Sequence, residues 1–244
     1  MWRLIFLLLF PFTLSAQLKR FQFTENKMGS PFNLIFYHID SAEAILLAKE
    51  CFLLVDSLNN VFSDYSSESE IGKLSLLANQ TDLKVSDELF TMIVRSKEAW
   101  ERSGKTFDIT IGPLTKLWRK AKTVRKDSLG ENRFPSEAEI KTAKQSTGFE
   151  NLIINNTTKT ISFIKKEMKL DFGGIVKGYT AQKVIDHLKT KNINIALADA
   201  GGDIVMSNGG PGKEGWSVGI NIPENEIELW NRNLELKNCA VATS

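Results

Sequence analysis

Six apolar residues, Ile45, Ala48, Phe52, Val55, Leu58 and Phe62, recur at steps of three and four, and they constrain the fold more than any other feature of this chain. Only an α-helix puts such a series on one face, and about five turns of apolar stripe need a surface to cover them. Asp40, with Glu43 three residues on, stands where the N-cap belongs, and residues 33–39 before it read as a strand. The helix is therefore expected to pack on a sheet. Cys51 falls inside the same apolar pattern, where a lone cysteine is usually a small buried hydrophobe. Export of the chain would also permit a disulfide between Cys51 and Cys239, its only two cysteines.

Two more helices carry start signals. One runs from its cap Ser86 through Leu89, Ile93 and Trp100 to Gly104; the other begins at Ser136-x-x-Glu139, a capping box behind Pro135, and ends near Gly148. From residue 152 the pattern shortens to β-rich runs. Residues 152–155 and 160–164 flank a polar four-residue turn and read as a hairpin, and residues 193–198, 204–207 and 216–222 read as further strands. Helices and hairpins interleave without regular alternation, so the expected class is α+β, with a largely antiparallel sheet and packed helices. A chain with 42% hydrophobic and 25% charged residues has room for one large domain or two intimate lobes.

Formal net charge is only +2, which provides no global field for nucleic acid or an anionic membrane. His38 and His187 have no short spacing to either cysteine, so a structural zinc site is excluded and any metal must be a hard, oxygen-liganded one. At the N-terminus one positive charge, an apolar run over residues 4–12 and the small residues Ser15 and Ala16 read as a secretory signal peptide cleaved after Ala16. The run is about half of the roughly 20 residues a membrane span needs, which disfavours a permanent anchor. No cysteine follows it, so a lipid-anchored mature N-terminus is not expected. The mature domain is then residues 17–244.

Three segments carry glycine and aspartate where chemistry could sit. Residues 169–179, KLDFGGIVKGY, run from a strand end into a helix with Tyr179, Val184, Ile185 and Leu188 on one face. Gly173 and Gly174 then lie at a helix N-terminus, where unpaired N–H groups and the helix dipole favour phosphate. Lys177 adds a point charge, and Asp171 is placed to hold a metal or a ligand hydroxyl. The same spacing is also that of a strand-to-helix turn with packing glycines and a solvated lysine; it is neither a Walker loop nor the dinucleotide glycine pattern. In residues 106–114 Asp108 follows a capped helix end and precedes a Gly-Pro turn, and it reads equally as a turn cap. Residues 198–203, ADAGGD, join two strands and read equally as a glycine hairpin. Residues 63–70 form a polar loop with one aromatic, Tyr65, and His187 reads as a surface residue.

Together these segments resemble one family, the FAD:protein FMN transferases, formerly called thiamine-biosynthesis lipoproteins. The matching stretches are TFDITIGPLTKLW (106–118), LDFGGIVKGYTAQKVIDHL (170–188), ADAGGDIVMSNG (198–209), GWSVGINIP (215–223) and the closing AVATS, in the family's order. Met28-Gly29-Ser30 and FSDYSSESEIGKLS (62–75) resemble its early Met-Gly-Thr and its aromatic loop. The resemblance covers essentially all of the mature chain.

It implies a T-fold-like architecture and an FAD-binding cleft contacted by Met28, Tyr65, Thr106, Phe107, Asp108, Asp171 and Lys177. The backbone carbonyl of Gly174 would be one Mg²⁺ ligand. The implied reaction is transfer of FMN from FAD to a threonine or serine hydroxyl with release of AMP. The implied acceptor is an exported flavoprotein subunit of a membrane electron-transfer complex, in the periplasm or at the outer face of the inner membrane. In the family AVATS is followed by further strands, a His-x-Ile-Asp-Pro-x-Thr-Gly stretch and an aspartate-and-threonine helix start that completes the metal site. None of these is in this sequence, so the domain is expected to be C-terminally incomplete, with a bare sheet edge after residues 239–242. An FAD pyrophosphatase and a non-catalytic flavin-binding protein remain open as alternatives.

Overall fold

Strands β1 (Lys19–Lys27) and β2 (Ser30–His38) open the computed structural model as a nine-residue antiparallel hairpin. The structure describes residues 17–78, 80–127, 134–219 and 233–243, the side chains of residues 122–127 apart. The expected leader at residues 1–16 therefore lies outside the described residues. In β2, Phe32, Leu34 and Phe36 alternate inward and are all buried. The sequence reading had found only this second strand.

Helix α1 (Ser41–Phe62) follows, with the Asp40 side chain accepting from the Glu43 N–H as expected. Its buried face is Ala44, Leu47, Ala48, Cys51, Phe52, Val55, Leu58 and Phe62, so Ile45, 57% exposed, does not belong to the stripe as read. The burying surface is centred on positions 44, 48, 51 and 55, which turns residue 45 toward solvent. Cys51 is a free, buried thiol and Cys239 is also free.

Next come a short helix α2 (Glu70–Leu74), a two-residue strand β3 (Leu83–Lys84) and α3 (Asp87–Arg102), capped by Ser86. Residues 112–113, read as a Gly-Pro turn, instead start a helix, α4 (Gly112–Asp127). Proline is tolerated in a first turn because its missing N–H has no intrahelical partner there. Gly112 is fixed by close approach, since a Cβ would lie 2.5 Å from the Lys169 carbonyl oxygen. Helix α5 (Glu137–Gln145) carries the expected capping box.

Strands β4 (Leu152–Asn155) and β5 (Thr160–Phe163) form the expected hairpin, and β3 adds to β5. After α6 (Val176–Thr190) come β6 (Ala196–Ala200), β7 (Ile204–Met206), β8 (Trp216–Gly219), β9 (Asn233–Leu236) and β10 (Cys239–Val241). The strand expected over residues 216–222 is described only to Gly219, and β8 pairs with β9. The main sheet runs β1-β2-β6-β7-β10, and every strand pairing is antiparallel. The α+β, antiparallel expectation is met, with β10 at one edge of that sheet.

Two cores result. One joins the main sheet to α1 and α6; the other joins the end of α1, α3, the β3-β5-β4 sheet and the start of α6. Met28 and Leu54 touch both. The seam between the cores is where the site lies.

Candidate functional site

A cavity of about 460 Å³ opens at that seam, lined among others by Met28, Phe62, Tyr65, Arg119, Gly173 and Lys177. They come from four separate stretches of chain. Met28 occupies the two-residue turn between β1 and β2 at φ +51°, followed by Gly29 at φ +78°. Positive φ at both turn residues suits the twist of a tight hairpin, but methionine has none of the glycine or asparagine tolerance for it. The strained turn keeps Met28 against both cores, beside the cavity.

The glycine turn entering α6 is the site's spine. Asp171 Oδ1 accepts from the Gly173 N–H at 2.8 Å, and the N–H groups of Ile175 and Val176 both reach the Phe172 carbonyl at 2.9 Å. These three amides are closed on the chain itself, the Gly173 N–H among those read as open. An anion here is drawn chiefly by the dipole of α6 and by Lys177. Lys177 Nζ donates to Ser30 Oγ at 3.1 Å. Gly201, at φ +68° in the β6–β7 turn, packs beside both: a Cβ there would lie 2.4 Å from Ser30 Oγ and 3.4 Å from Lys177 Nζ. The hydroxyl of Thr243 donates to the Gly202 carbonyl at 3.2 Å, so Thr243 lies beside the same turn.

Across the cavity, Arg119 of α4 bridges two carboxylates. One guanidinium nitrogen bonds Asp64 and another bonds Asp171 Oδ2 at 3.0 Å, while the guanidinium lies over the Tyr65 ring, 4.4 Å from its centroid. Both carboxylates are nearly buried, at 10% and 9% exposure. Burial opposes the charged form of Arg119, but the hydrogen bond to Asp64 and the charges of Asp64 and Asp171 outweigh it and raise its pKa. Tyr65 itself is 81% exposed, so one ring face is taken by Arg119 and the rest meets solvent. A polar rim, an aromatic plate and a cation beside a helix N-terminus can hold a flat ring at one end and phosphate at the other.

Of the residues singled out in the sequence, Met28, Tyr65 and Lys177 line the cavity, and Asp171 reaches it through Gly173 and Arg119. Phe107 packs beside Gly174, where a Cβ would come within 3.3 Å of its ring. Thr106 and Asp108 serve the local turn. Thr106 donates to the Ser103 carbonyl, and the Asp108 carboxylate accepts from the Thr110 N–H and hydroxyl, each at 2.7 Å, and from the Phe149 N–H at 3.0 Å. The turn-cap reading of Asp108 is the one these bonds express. His187 pairs with Glu50 on the surface.

Asp64 and Arg119 were not singled out in the sequence. The one available signal was their proximity to Tyr65 and Trp118 inside matching stretches. For a divalent metal, no group of three or more His, Cys, Asp or Glu that could hold one occurs among the described residues. The Gly174 carbonyl is a single donor, and Asp64 and Asp171 are engaged by Arg119. A magnesium ion usually takes one or two carboxylates beside waters and ligand phosphates, and the two carboxylates at this cavity, Asp64 and Asp171, are both held by Arg119.

An antiparallel sheet packed against α1 and α6, with an aromatic, cationic cleft at the mouth of α6, defines an α+β protein with a cavity at the seam of its two cores. Residues 28–244 match the model of the ApbE family, and the chain belongs to that family. A protein of Klebsiella pneumoniae called FAD:protein FMN transferase is 28% identical over 89% of this chain, and one of Treponema pallidum with the same name is 24% identical over 84%. The chain spans 63% and 58% of their lengths. The ApbE protein of Thermotoga maritima superposes with a TM-score of 0.78 at 25% identity, covering 93% of this chain and 70% of that one. The apo flavinyl transferase ApbE of Pseudomonas stutzeri shares the fold at a TM-score of 0.76 and 24% identity, covering 91% of this chain and 66% of that one.

Proposed function

We propose that this protein binds FAD in the seam cavity and takes part in moving its FMN half onto a protein hydroxyl. The observation that carries the reading is the convergence of Tyr65, Arg119, Lys177 and Met28, from four separate segments, on one cleft at the glycine turn. It is supported by relatives named for this transfer. The isoalloxazine is assigned to the Tyr65 side and the pyrophosphate to Lys177 and the start of α6, with Phe107 forming the wall at Gly174 and Thr106 and Asp108 bracing the turn that carries it.

In the proposed reaction a threonine or serine hydroxyl of the acceptor attacks the FMN-side phosphorus. The new O–P bond forms, the bond to the AMP oxygen breaks, and the hydroxyl proton leaves to solvent. Lys177 and the helix dipole would offset charge growing on the phosphoryl oxygens. Mg²⁺ is the expected metal by family resemblance, but no step is routed through it because the described residues do not make its site. The acceptor is assigned to exported flavoproteins of membrane electron-transfer complexes, in keeping with the leader-like residues 1–16.

The test incubates the protein with FAD, Mg²⁺ and a flavoprotein acceptor domain, then reads covalent flavin fluorescence in a denaturing gel and AMP by chromatography. Labelled acceptor with equimolar AMP is expected. Free FMN without acceptor would instead favour a pyrophosphatase, and bound but uncleaved FAD a flavin-binding protein.

A further inference from the structure

A second, larger cleft of about 890 Å³ lies between α4 and α5, one helical face away from Arg119. On α4 it is lined by Pro113, Lys116, Leu117 and Lys120, spaced so that one continuous stripe faces it. Lys166 and Lys169 close its floor, and Leu76 stands at its rim, 80% exposed. Among its described lining residues four lysines stand against two carboxylates, Glu139 and Glu167. Each of the lysines at positions 27, 73, 97, 159, 183 and 191 lies within 4.0 Å of a carboxylate. Lys116, Lys120, Lys166 and Lys169 have no such partner among the described residues. Of the two glutamates in the cleft, Glu139 is committed to the capping box through Ser136. Burial, and next the charge of Lys169, lower the pKa of Lys116, so these two cations lie close enough to feel each other, while Lys120 and Lys166 are exposed.

Four lysines beside apolar residues, with Glu167 the one lining carboxylate outside the capping box among the described residues, complement an anionic partner that also has apolar side chains. We propose that the α4–α5 cleft is a docking groove for an acidic protein segment, with carboxylates on Lys116, Lys120, Lys166 and Lys169 and an apolar side chain against Leu76, Pro113 and Leu117. Helix α4 lines both, the groove through Lys116 and Lys120 and the seam cavity through Arg119. The partner's identity as the acceptor rests on the function proposed above; the groove's own chemistry does not.

The test uses a short fluorescein-labelled peptide of repeated Glu-Glu-Leu and the whole protein, read by fluorescence anisotropy, with FAD binding measured separately by flavin fluorescence. Saturable binding is expected, and Lys116→Gln/Lys169→Gln should weaken it roughly fivefold, the middle of the range for two partly exposed ion pairs. FAD affinity should not change. A control, Lys49→Gln/Lys189→Gln, removes the same charge from α1 and α6 and should leave peptide binding intact. Equal weakening by the control pair would overturn the proposal as nonspecific charge attraction. So would displacement of the peptide by AMP or inorganic phosphate, which would mark a small-anion site. Peptide binding that persists in a protein unable to bind FAD would sink the flavin reading and leave the groove standing.

Discussion

Removing the charge of Arg119 by Arg119→Gln tests whether the bridge to Asp64 and Asp171 holds the rim of the cavity. The 3.0 Å pair to Asp171 corresponds to a gross attraction of ~5 kcal/mol at an effective dielectric of about 20. Arg119 keeps 34% exposure, so screening and the desolvation of both partners reduce that to a net coupling of roughly 1–2 kcal/mol. The single substitution should cost more than the coupling, about 2–3 kcal/mol, because it leaves two nearly buried carboxylates without their cation. Asp171→Asn is the suitable second arm, since its amide oxygen can still accept from the Gly173 N–H while the charge is lost. Urea denaturation of the wild type, both singles and the double, followed by tryptophan fluorescence, gives the cycle. A coupling under about 0.3 kcal/mol, the scatter of independent sites, would refute the claim that this pair organises the cavity.

Lys177→Ala and Asp171→Ala should each weaken FAD binding by about tenfold, the loss of one charge-assisted contact in a partly enclosed site, and titration by flavin fluorescence checks it. If neither changes, the pyrophosphate does not sit at the glycine turn. Gly201→Ala should destabilise by about 1–3 kcal/mol, because φ +68° is unfavourable for alanine and the new Cβ would meet Ser30 Oγ. A thermal shift below 2 °C would count against that packing. Cys51, its thiol pushed up to about 12 chiefly by burial, binds its proton more tightly folded than unfolded. Its contribution is therefore whole below about pH 9 and lost as pH rises toward 12, and Cys51→Ala should flatten stability between pH 9 and 11. Modification of Cys51 by a thiol reagent at pH 8, as fast as that of Cys239, would contradict its burial.

Local signals in the sequence were read correctly where they are complete in a few residues. Ser86, Asp40 and the Ser136–Glu139 box cap helices as expected, because a cap needs only its own first turn. The 152–163 hairpin likewise contains both of its strands. Gly112-Pro113 was misread because the dipeptide suits both a turn and a helix start, and the approach of Lys169 from far along the chain decides between them. Strand β1 escaped because its half-exposed residues gain their meaning only from pairing with β2.

By itself the sequence determined the periodic faces, the caps, the antiparallel α+β class, and the Gly-Gly turn with Lys177 one helical turn beyond it. Each follows from interactions between near neighbours in the chain. Tertiary packing alone decided that Arg119 would meet Asp64 and Asp171, 55 and 52 residues away, and that the Met28, Tyr65 and Gly173 segments would face one cavity. Such contacts are set by how two cores close on each other, and burial acts on whole surfaces without leaving a periodic mark at any one residue.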